Sequence, residues 1–378
     1  MIKNIFTRSI RRFFKKINRL KNFVKKIVGN LFFYLALKQD FITKNVLTKE
    51  QKLEIDAFYV NNYGKKISYK WHNLFTSYNG IFDVRYVPFD VCFSIVNCLN
   101  SNNDNCDILQ DKNLLYNIAK VTNVKVAKRY FYSINKILFN GDDVIVSKEE
   151  FYKQISNIGE VFIKPTQVNN TGNVNKCKLL NIKNGIDIYS NTSIRTIIEK
   201  DYTDDFVVQE KIVCHKSISN IYPKAVNTFY VNTIILNNKV KVLNSVLQIG
   251  MGDNTVDWVG LNKNSLLILV NKDGTLHNWA ICSKGRKRYS AHPDTGIVFK
   301  NHKIDLFPKI LETLKILHLS VPWLKFCSWG ITIDVSGTPV ILEIKTPSYM
   351  YDQLLLGVGI FGEHTEEVLS YLKNKENS

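Results

Sequence analysis

The sequence has no CxxC pair, and its seven cysteines among 378 residues are odd in number and irregular in spacing. A small secreted domain held by disulfides needs an even cysteine framework, and a structural zinc site needs closely spaced cysteine or histidine pairs. Both kinds of protein are therefore excluded. The cysteine usage predicts a reducing compartment and a cytoplasmic location.

Long apolar runs are also missing. No segment approaches the roughly 20 consecutive apolar residues that cross a bilayer. The longest uncharged stretch near the N-terminus, residues 27–37, contains a glycine and an asparagine, and the cations before it do not fit an ordinary signal peptide. Aromatic residues make up 12% of the chain, which excludes a mainly disordered protein. The length predicts two or three domains.

Acidic residues are absent from residues 1–30, which carry ten of the 51 lysines and arginines. The net charge of the whole chain is +18, so residues 31–378 carry only +8. Within residues 1–35 the apolar side chains recur every three or four positions and the cations lie between them. This period predicts a basic amphipathic helix.

A helix of this kind has three conceivable partners. The predicted partner is an anionic membrane surface, because the apolar face enters the headgroup boundary and the cations lie over acidic lipid. The protein would then be peripheral at the inner face of the membrane. Packing of the helix on the protein's own body is the alternative. Nucleic acid is not an expected partner, since the body has no matching basic stripe and no reader motif.

The rest of the chain mixes strands with a few helices, which predicts an α+β fold. Strands are predicted over residues 160–164 and 206–212. Two hairpins are predicted around Asn237-Asn238 and Ser336-Gly337, because such residue pairs favour tight turns between apolar runs.

Four segments that suit nucleotide chemistry follow one another along the chain. A strand ends in Lys164-Pro165, where an ammonium group can hold phosphates. The apolar strand Phe206–Ile212 runs into a carboxylate, which could contact a ribose. Gly250–Asn254 is the third segment, and the hairpin Trp329–Lys345, which carries Glu343, is the fourth. Each segment alone is a weak signal, and their fixed order is the stronger observation.

In this order the segments resemble the ATP-grasp superfamily, and more closely its sugar-transfer-associated, alpha-L-glutamate-ligase-related branch. The resemblance covers residues 111–362. Its most specific matches are Pro223-Lys224-Ala225-Val226-Asn227-Thr228, Gly252-Asp253-Asn254, His292-Pro293-Asp294-Thr295-Gly296, and Gln353 with Gly357. The resemblance implies two α+β lobes with nucleotide between them. The N-terminal lobe would span 111–210 and the C-terminal lobe 211–378, after a helical region over 36–110.

The same resemblance implies an ATP-dependent carboxylate–amine ligase. ATP would phosphorylate a carboxylate, and an amine would attack the acyl phosphate. The implied cofactors are ATP and Mg²⁺. The residues that the resemblance assigns are Lys112 and Lys164 to the phosphates, Gln209, Glu210 and Ile212 to the adenine hinge, Asn227, Asp253 and Asn254 to the site lining, and Glu343 to the metal.

Several positions depart from the family's pattern. The loop after the second lysine is usually rich in glycine, so that backbone N–H groups can approach phosphate. Here residues 168–172 keep one glycine. Tyr230 stands where the family usually has an arginine.

The magnesium site departs most. The family uses an aspartate, a glutamate and an asparagine, and only Glu343 matches, because Gly330 and Lys345 stand at the other two positions. Asp334 lies too far along the hairpin to replace the aspartate with either a two-residue or a four-residue turn. One oxygen ligand of three remains, although Mg²⁺ prefers carboxylates and phosphates. Lys345 either supplies positive charge to the phosphates or pairs with Glu343 in a dead site.

Arg286 and Arg288 are the candidate catalytic residues for an anionic sugar or amino-acid substrate, such as a uronic acid. A solvated basic loop is the alternative for this segment. The predicted function is a ligase that acts on a cell-surface polysaccharide precursor, for example in capsule synthesis. The competing prediction is a degenerate ATP-grasp protein that binds nucleotide or glycan without efficient catalysis, and a kinase-like phosphotransferase is a third.

Overall fold

The computed structural model describes residues 46–100, 111–167, 177–254, 265–282, 287–345 and 349–376. The predicted basic helix over residues 1–35 lies outside these ranges. Among the helices in the described ranges, none is long and apolar enough to cross a membrane. The chain divides into two compact units, residues 1–99 with 348–378, and residues 100–347. The predicted domain boundaries stay predictions.

The helices are α1 Lys49–Tyr63, α2 Lys70–Asn79, α3 Phe89–Leu99, α4 Lys112–Val121, α5 Lys148–Ile155, α6 Ile194–Asp201, α7 Lys216–Ser219, α8 Phe307–Leu319, α9 Tyr349–Leu356 and α10 Thr365–Glu376. The strands are β1 Arg129–Ile134, β2 Ile137–Asn140, β3 Gly159–Pro165, β4 Lys178–Lys183, β5 Ile186–Asp187, β6 Thr192–Ser193, β7 Phe206–Glu210, β8 Thr228–Leu236, β9 Lys239–Gly250, β10 Ser265–Val270, β11 Ala280–Cys282, β12 Arg288–Tyr289, β13 Phe326–Ile333 and β14 Pro339–Lys345.

The described part of the first unit is helical. In it, α10 lies against α1 and α3, and α9 lies against α2. The buried side chain of Gln353 in α9 donates to the carbonyl oxygen of Val87 at 3.1 Å and accepts from its amide at 2.6 Å. These two bonds attach the C-terminal helices to the helical region that precedes residue 100.

The first sheet of the second unit has seven strands in the order β2-β1-β7-β3-β4-β5-β6, and every pair is antiparallel. The helices α5 and α6 pack on it. Their apolar residues Phe151 and Ile197 share a core with Val161, Ile163 and Val208 of the central strands. Val161 and Ile163 alternate along β3 and therefore share the face on which these helices pack.

The second sheet has seven antiparallel strands in the order β12-β11-β10-β9-β8-β13-β14. The helix α8 packs against it through Phe307 and Leu314, which join Phe229, Trp329 and Ile331 in the largest apolar core of the unit. Large apolar side chains on the central strands β8 and β13 fix the position of this helix.

Two segments lie side by side at the junction of the sheets. The first, residues 122–128, precedes β1, and the second, residues 211–215, follows β7. The amide of Glu210 at the end of β7 donates to the carbonyl oxygen of Lys128, which precedes β1, at 2.9 Å. The first segment attaches to β14 through the Ile341 amide and the Lys125 carbonyl oxygen. The second attaches to the end of β13 through His215, and both of these bonds are 2.9 Å long. The β13–β14 hairpin therefore lies at the junction of the two sheets.

The predicted α+β fold is confirmed. The structure forms it from two antiparallel sheets. Both predicted hairpins are present. Asn237 and Asn238 turn the first with φ angles of 50° and 59°, a backbone region that asparagine tolerates better than most residues. The predicted strand over 206–212 ends at Glu210, because the chain leaves the first sheet there.

Candidate functional site

Lys112 opens α4 and is buried. Asp111 caps this helix, since its carboxylate accepts hydrogen bonds from the amides of Asn113 and Leu114. The amide of Lys112 donates to the carbonyl oxygen of Thr166 at 3.0 Å, and its ammonium group lies 3.5 Å from the same oxygen. The start of α4 is thereby fixed to the end of β3, next to Lys164.

A row of three residues crosses the second sheet at the junction. Tyr230 on β8 pairs with Gly330 on β13, which pairs with Glu343 on β14. The hydroxyl group of Tyr230 reaches across the middle strand and donates to Oε1 of Glu343 at 2.7 Å. Glycine makes this reach possible, because a Cβ at position 330 would lie 2.6 Å from Cγ of Glu343 and 3.3 Å from the tyrosine ring.

Lys345 lies next to the row, two residues after Glu343 on β14. Its ammonium group lies 3.4 Å from Oε1 of Glu343 and 3.5 Å from the centre of the Tyr230 ring. The first contact is an ion pair and the second is a cation–π contact. Glu343 and Lys345 share a face of β14 because successive side chains alternate along a strand.

Three lysines act on Glu343. The pKa of its carboxyl group is about 2, against an ordinary 4.5. Burial is the largest influence and raises this pKa, but Lys345, Lys112, the Tyr230 hydrogen bond and Lys164 together lower it further. Burial also lowers the pKa of Lys112, which Glu343 raises and Lys164 lowers. Lys112, Lys164 and Lys345 around Glu343 are called the lysine cluster below, and its net charge with all four groups ionised is +2.

The predicted adenine hinge is the second of the two connecting segments. Gln209 is buried in β7, and the carboxylate of Glu210 accepts from the Lys128 amide at 2.7 Å. Ile212 packs on Ala127 and Val340, in the junction itself. The side chain of Glu210 therefore joins the two connecting segments, and its predicted contact with nucleotide stays a prediction.

Three of the four specific family matches converge on the loop Gly250–Asn254. The side chain of Asn227 is fully buried and bonds the backbone of Ile218, Tyr222 and Gly250. His292 contacts the carbonyl oxygen of Gly250 at 2.9 Å. Asn227 thus holds the backbone around this loop, a placement that does not favour its predicted contact with ligand.

The predicted residues Asp253 and Asn254 lie on the far side of the same loop. Asp253 is almost fully exposed, with 99% of its side chain accessible, and pairs with Lys224 at 2.8 Å. The Tyr222 hydroxyl donates to the backbone carbonyl oxygen of Asn254 at 2.8 Å. The match at Gly252-Asp253-Asn254 is thus held by tyrosine and lysine contacts, and a ligand role for it stays a prediction.

Of the two candidate arginines, the structure places only Arg288, and it does not lie beside the lysine cluster. Arg286 lies outside the described residues. Arg288 lies on β12, at one edge of the second sheet, whereas Glu343 lies on β14 at the other edge. Six strand spacings separate them, roughly 29 Å along the sheet. The guanidinium group of Arg288 stacks over the Trp279 ring at 4.2 Å.

The sequence model of the family described as sugar-transfer associated ATP-grasp matches residues 97–368. The chain belongs to this family. The match contains every described strand of both sheets and the whole lysine cluster. Curated proteins give no match to the chain.

Solved structures with some likeness are ligases and synthetases. A purK N5-carboxyaminoimidazole ribonucleotide synthetase in complex with ADP is 12% identical, with a TM-score of 0.36 over 65% of this chain and 47% of that one. The VanG D-Ala:D-Ser ligase from Enterococcus faecalis is 14% identical, with a TM-score of 0.42 over 71% and 64%. The D-alanine–D-alanine ligase from Bacillus anthracis is 13% identical, with a TM-score of 0.38 over 74% and 71%. The chain therefore spans about half to two thirds of the first two, and similarities this low support no inference about activity.

In this ATP-grasp protein the cluster fits nucleotide phosphates. Ammonium groups make charge-assisted hydrogen bonds to phosphate oxygens, and Lys112, Lys164 and Lys345 converge from α4, β3 and β14. ATP bound there would supply the phosphoryl group of the family's chemistry.

The residues do not fit the family's magnesium. Among the described residues no group of three or more histidines, cysteines or acids could hold a metal ion. Asp334 forms an ion pair with Lys125 instead. The hairpin turn proves to be three residues long, and a bulge at Leu342 restores the pairing of Gly330 with Glu343. Glu343 is the one carboxylate in the row, and a lysine ammonium group lies on it.

Two site residues were missing from the sequence-based assignment. In the sequence Tyr230 stands out only as a departure from an expected arginine, yet it contacts both Glu343 and Lys345. Thr166 fixes Lys112 through its backbone. The sequence does place a polar residue, Tyr230, on β8. The strand register is needed to recognise that this residue faces Gly330.

Proposed function

We propose that this chain is an ATP-dependent carboxylate–amine ligase. The lysine cluster around Glu343 at the junction of the two sheets, in a chain of the ATP-grasp family, is the observation that carries the proposal. Lys112 and Lys164 would hold phosphate oxygens, and the connecting segment from Gln209 to Ile212 would lie along the adenine. The acyl phosphate expected from the family resemblance belongs to this proposal.

We further propose an anionic substrate from a cell-surface polysaccharide precursor, a uronic acid or an acidic amino acid. Its reacting carboxylate would lie near the lysine cluster, where the net positive charge favours an anion. Arg288, stacked on Trp279 at the distant sheet edge, would contact another part of an extended substrate. This division of roles follows from the separation of β12 and β14.

The experiment is ADP release with the full-length chain, ATP, a panel of uronic acids and acidic amino acids, and a separate panel of amines. Release that requires both an acid and an amine supports a ligase. Lys164→Ala is expected to abolish it, and Lys239→Ala is the matched control, because it removes an exposed cation from the distant β8–β9 turn. Nucleotide binding without ADP release under any combination would contradict the ligase.

A degenerate ATP-grasp protein is the second candidate, and one observation favours it. Lys345 and Tyr230 occupy Oε1 of the single carboxylate that the family's metal site retains here. Such a protein would bind nucleotide or glycan and turn over little. Binding of a non-hydrolysable ATP analogue together with the absence of ADP release would identify it.

The location at the inner face of the membrane rests on residues 1–35 alone. Ten cations and no acid in residues 1–30 would attract acidic lipid. Cosedimentation of the full-length chain with phosphatidylserine vesicles, but not with phosphatidylcholine vesicles, is the expected result.

A further inference from the structure

The row Tyr230–Gly330–Glu343 leaves little space for a metal ion beside the carboxylate. The tyrosine ring lies over the position of the missing Gly330 side chain, as the 3.3 Å distance from a Cβ built there indicates. The ammonium group of Lys345 lies over the Tyr230 ring, 3.5 Å from its centre. Both the hydroxyl and the ammonium group contact Oε1 of Glu343.

The charges around the row are those of an anion site. Lys112 is buried and Lys345 is two-thirds buried, and both act on Glu343 together with Lys164. A divalent cation at Glu343 would face three ammonium groups, whereas a polyphosphate would face them with its own negative charge. Glu343 orients Lys345 and partly neutralises the cluster.

We propose that this chain binds the polyphosphate of its nucleotide without a divalent cation, and that the ammonium group of Lys345 occupies the place of the metal ion. The inference rests on the proposed nucleotide site and changes its ionic requirement. Free ATP carries two more negative charges than its magnesium complex, so a site built from lysines prefers free ATP. Each ammonium group donates to non-bridging phosphate oxygens as a point charge.

The experiment is calorimetric titration of the full-length chain with a non-hydrolysable ATP analogue, once in excess EDTA and once in excess magnesium chloride. Binding in EDTA that is as tight as in magnesium, or tighter, is the expected result. Binding that appears only with magnesium, or that magnesium tightens about tenfold or more, would overturn the inference and leave the nucleotide site intact. An absence of binding in both buffers would overturn the nucleotide site itself.

Three variants test Lys345 separately. Lys345→Met keeps the length of the side chain and removes its charge, and in EDTA it should weaken binding at least about tenfold. Lys345→Arg keeps the charge and should retain most of the affinity without magnesium. Lys239→Met is the matched control for a general loss of positive charge and should bind like the wild type. Equal affinity of Lys345→Met and the wild type in EDTA would overturn the role of this residue.

Discussion

Removal of the Tyr230 hydroxyl group tests the row at the sheet junction directly. In Tyr230→Phe the ring still lies beneath Lys345, but the hydrogen bond of 2.7 Å to Glu343 is lost. A hydrogen bond to a charged group contributes about 1.5–3 kcal/mol. One pKa unit corresponds to about 1.36 kcal/mol, so the pKa of Glu343 should rise by about one to two units. The variant should lose about 2 kcal/mol of unfolding free energy at neutral pH.

The pH dependence follows from the sign of this shift. The pKa of Glu343 in the folded chain, about 2, lies below its ordinary value of 4.5. Its contribution to stability is therefore complete above pH 4.5 and is lost as the pH falls toward 2. The difference between Tyr230→Phe and the wild type should shrink over the same interval, because the hydrogen bond to a neutral carboxyl group is weaker.

Urea unfolding followed by circular dichroism at several pH values is the assay. Tyr289→Phe is the matched control, since the Tyr289 hydroxyl group makes no hydrogen bond within the described part of the chain and lies on β12 of the same sheet. Equal stability of Tyr230→Phe and the wild type at neutral pH would refute the proposed contribution of the hydrogen bond. A loss that is the same at all pH values would show that the hydroxyl group acts through packing and not through the carboxylate.

Four further predictions concern two lysines, the glycine and the N-terminus. Lys164→Ala should weaken binding of the ATP analogue at least about tenfold, because a charge contact to phosphate is lost, and unchanged affinity in calorimetry would make this lysine structural. Burial lowers the pKa of Lys112 from its ordinary range, so affinity should fall as an alkaline pH rises through that pKa and the lysine loses its charge. Calorimetry over a series of alkaline pH values measures this fall, and an affinity that does not change with pH would contradict it. Gly330→Ala should cost about 1–3 kcal/mol in urea unfolding, because its Cβ would lie 2.6 Å from Glu343 Cγ, and a stability equal to the wild type would contradict the tight approach. Replacement of four cations in residues 1–30 by glutamate should abolish binding to phosphatidylserine vesicles, which salt should also weaken, and retained cosedimentation would contradict the lipid partner.

The sequence by itself determined the fold class and the family. Apolar alternation and the asparagine turn at Asn237-Asn238 predicted the antiparallel hairpins, since strand period and turn chemistry are local properties. Lys164 at a strand end and Glu343 on a late hairpin predicted a nucleotide site in the ATP-grasp pattern. These features depend on residues that are close together along the chain, and a single sequence contains them in full.

Only the tertiary structure decided which of the predicted residues meet. The register of β8, β13 and β14 brings Tyr230 to Glu343 across a glycine, and it depends on a three-residue turn and a bulge at Leu342 that the sequence did not reveal. The strand order sets Arg288 at the opposite edge of the same sheet. Pairing between distant strands depends on packing over the whole sheet, because a shift of one residue turns every side chain to the other face.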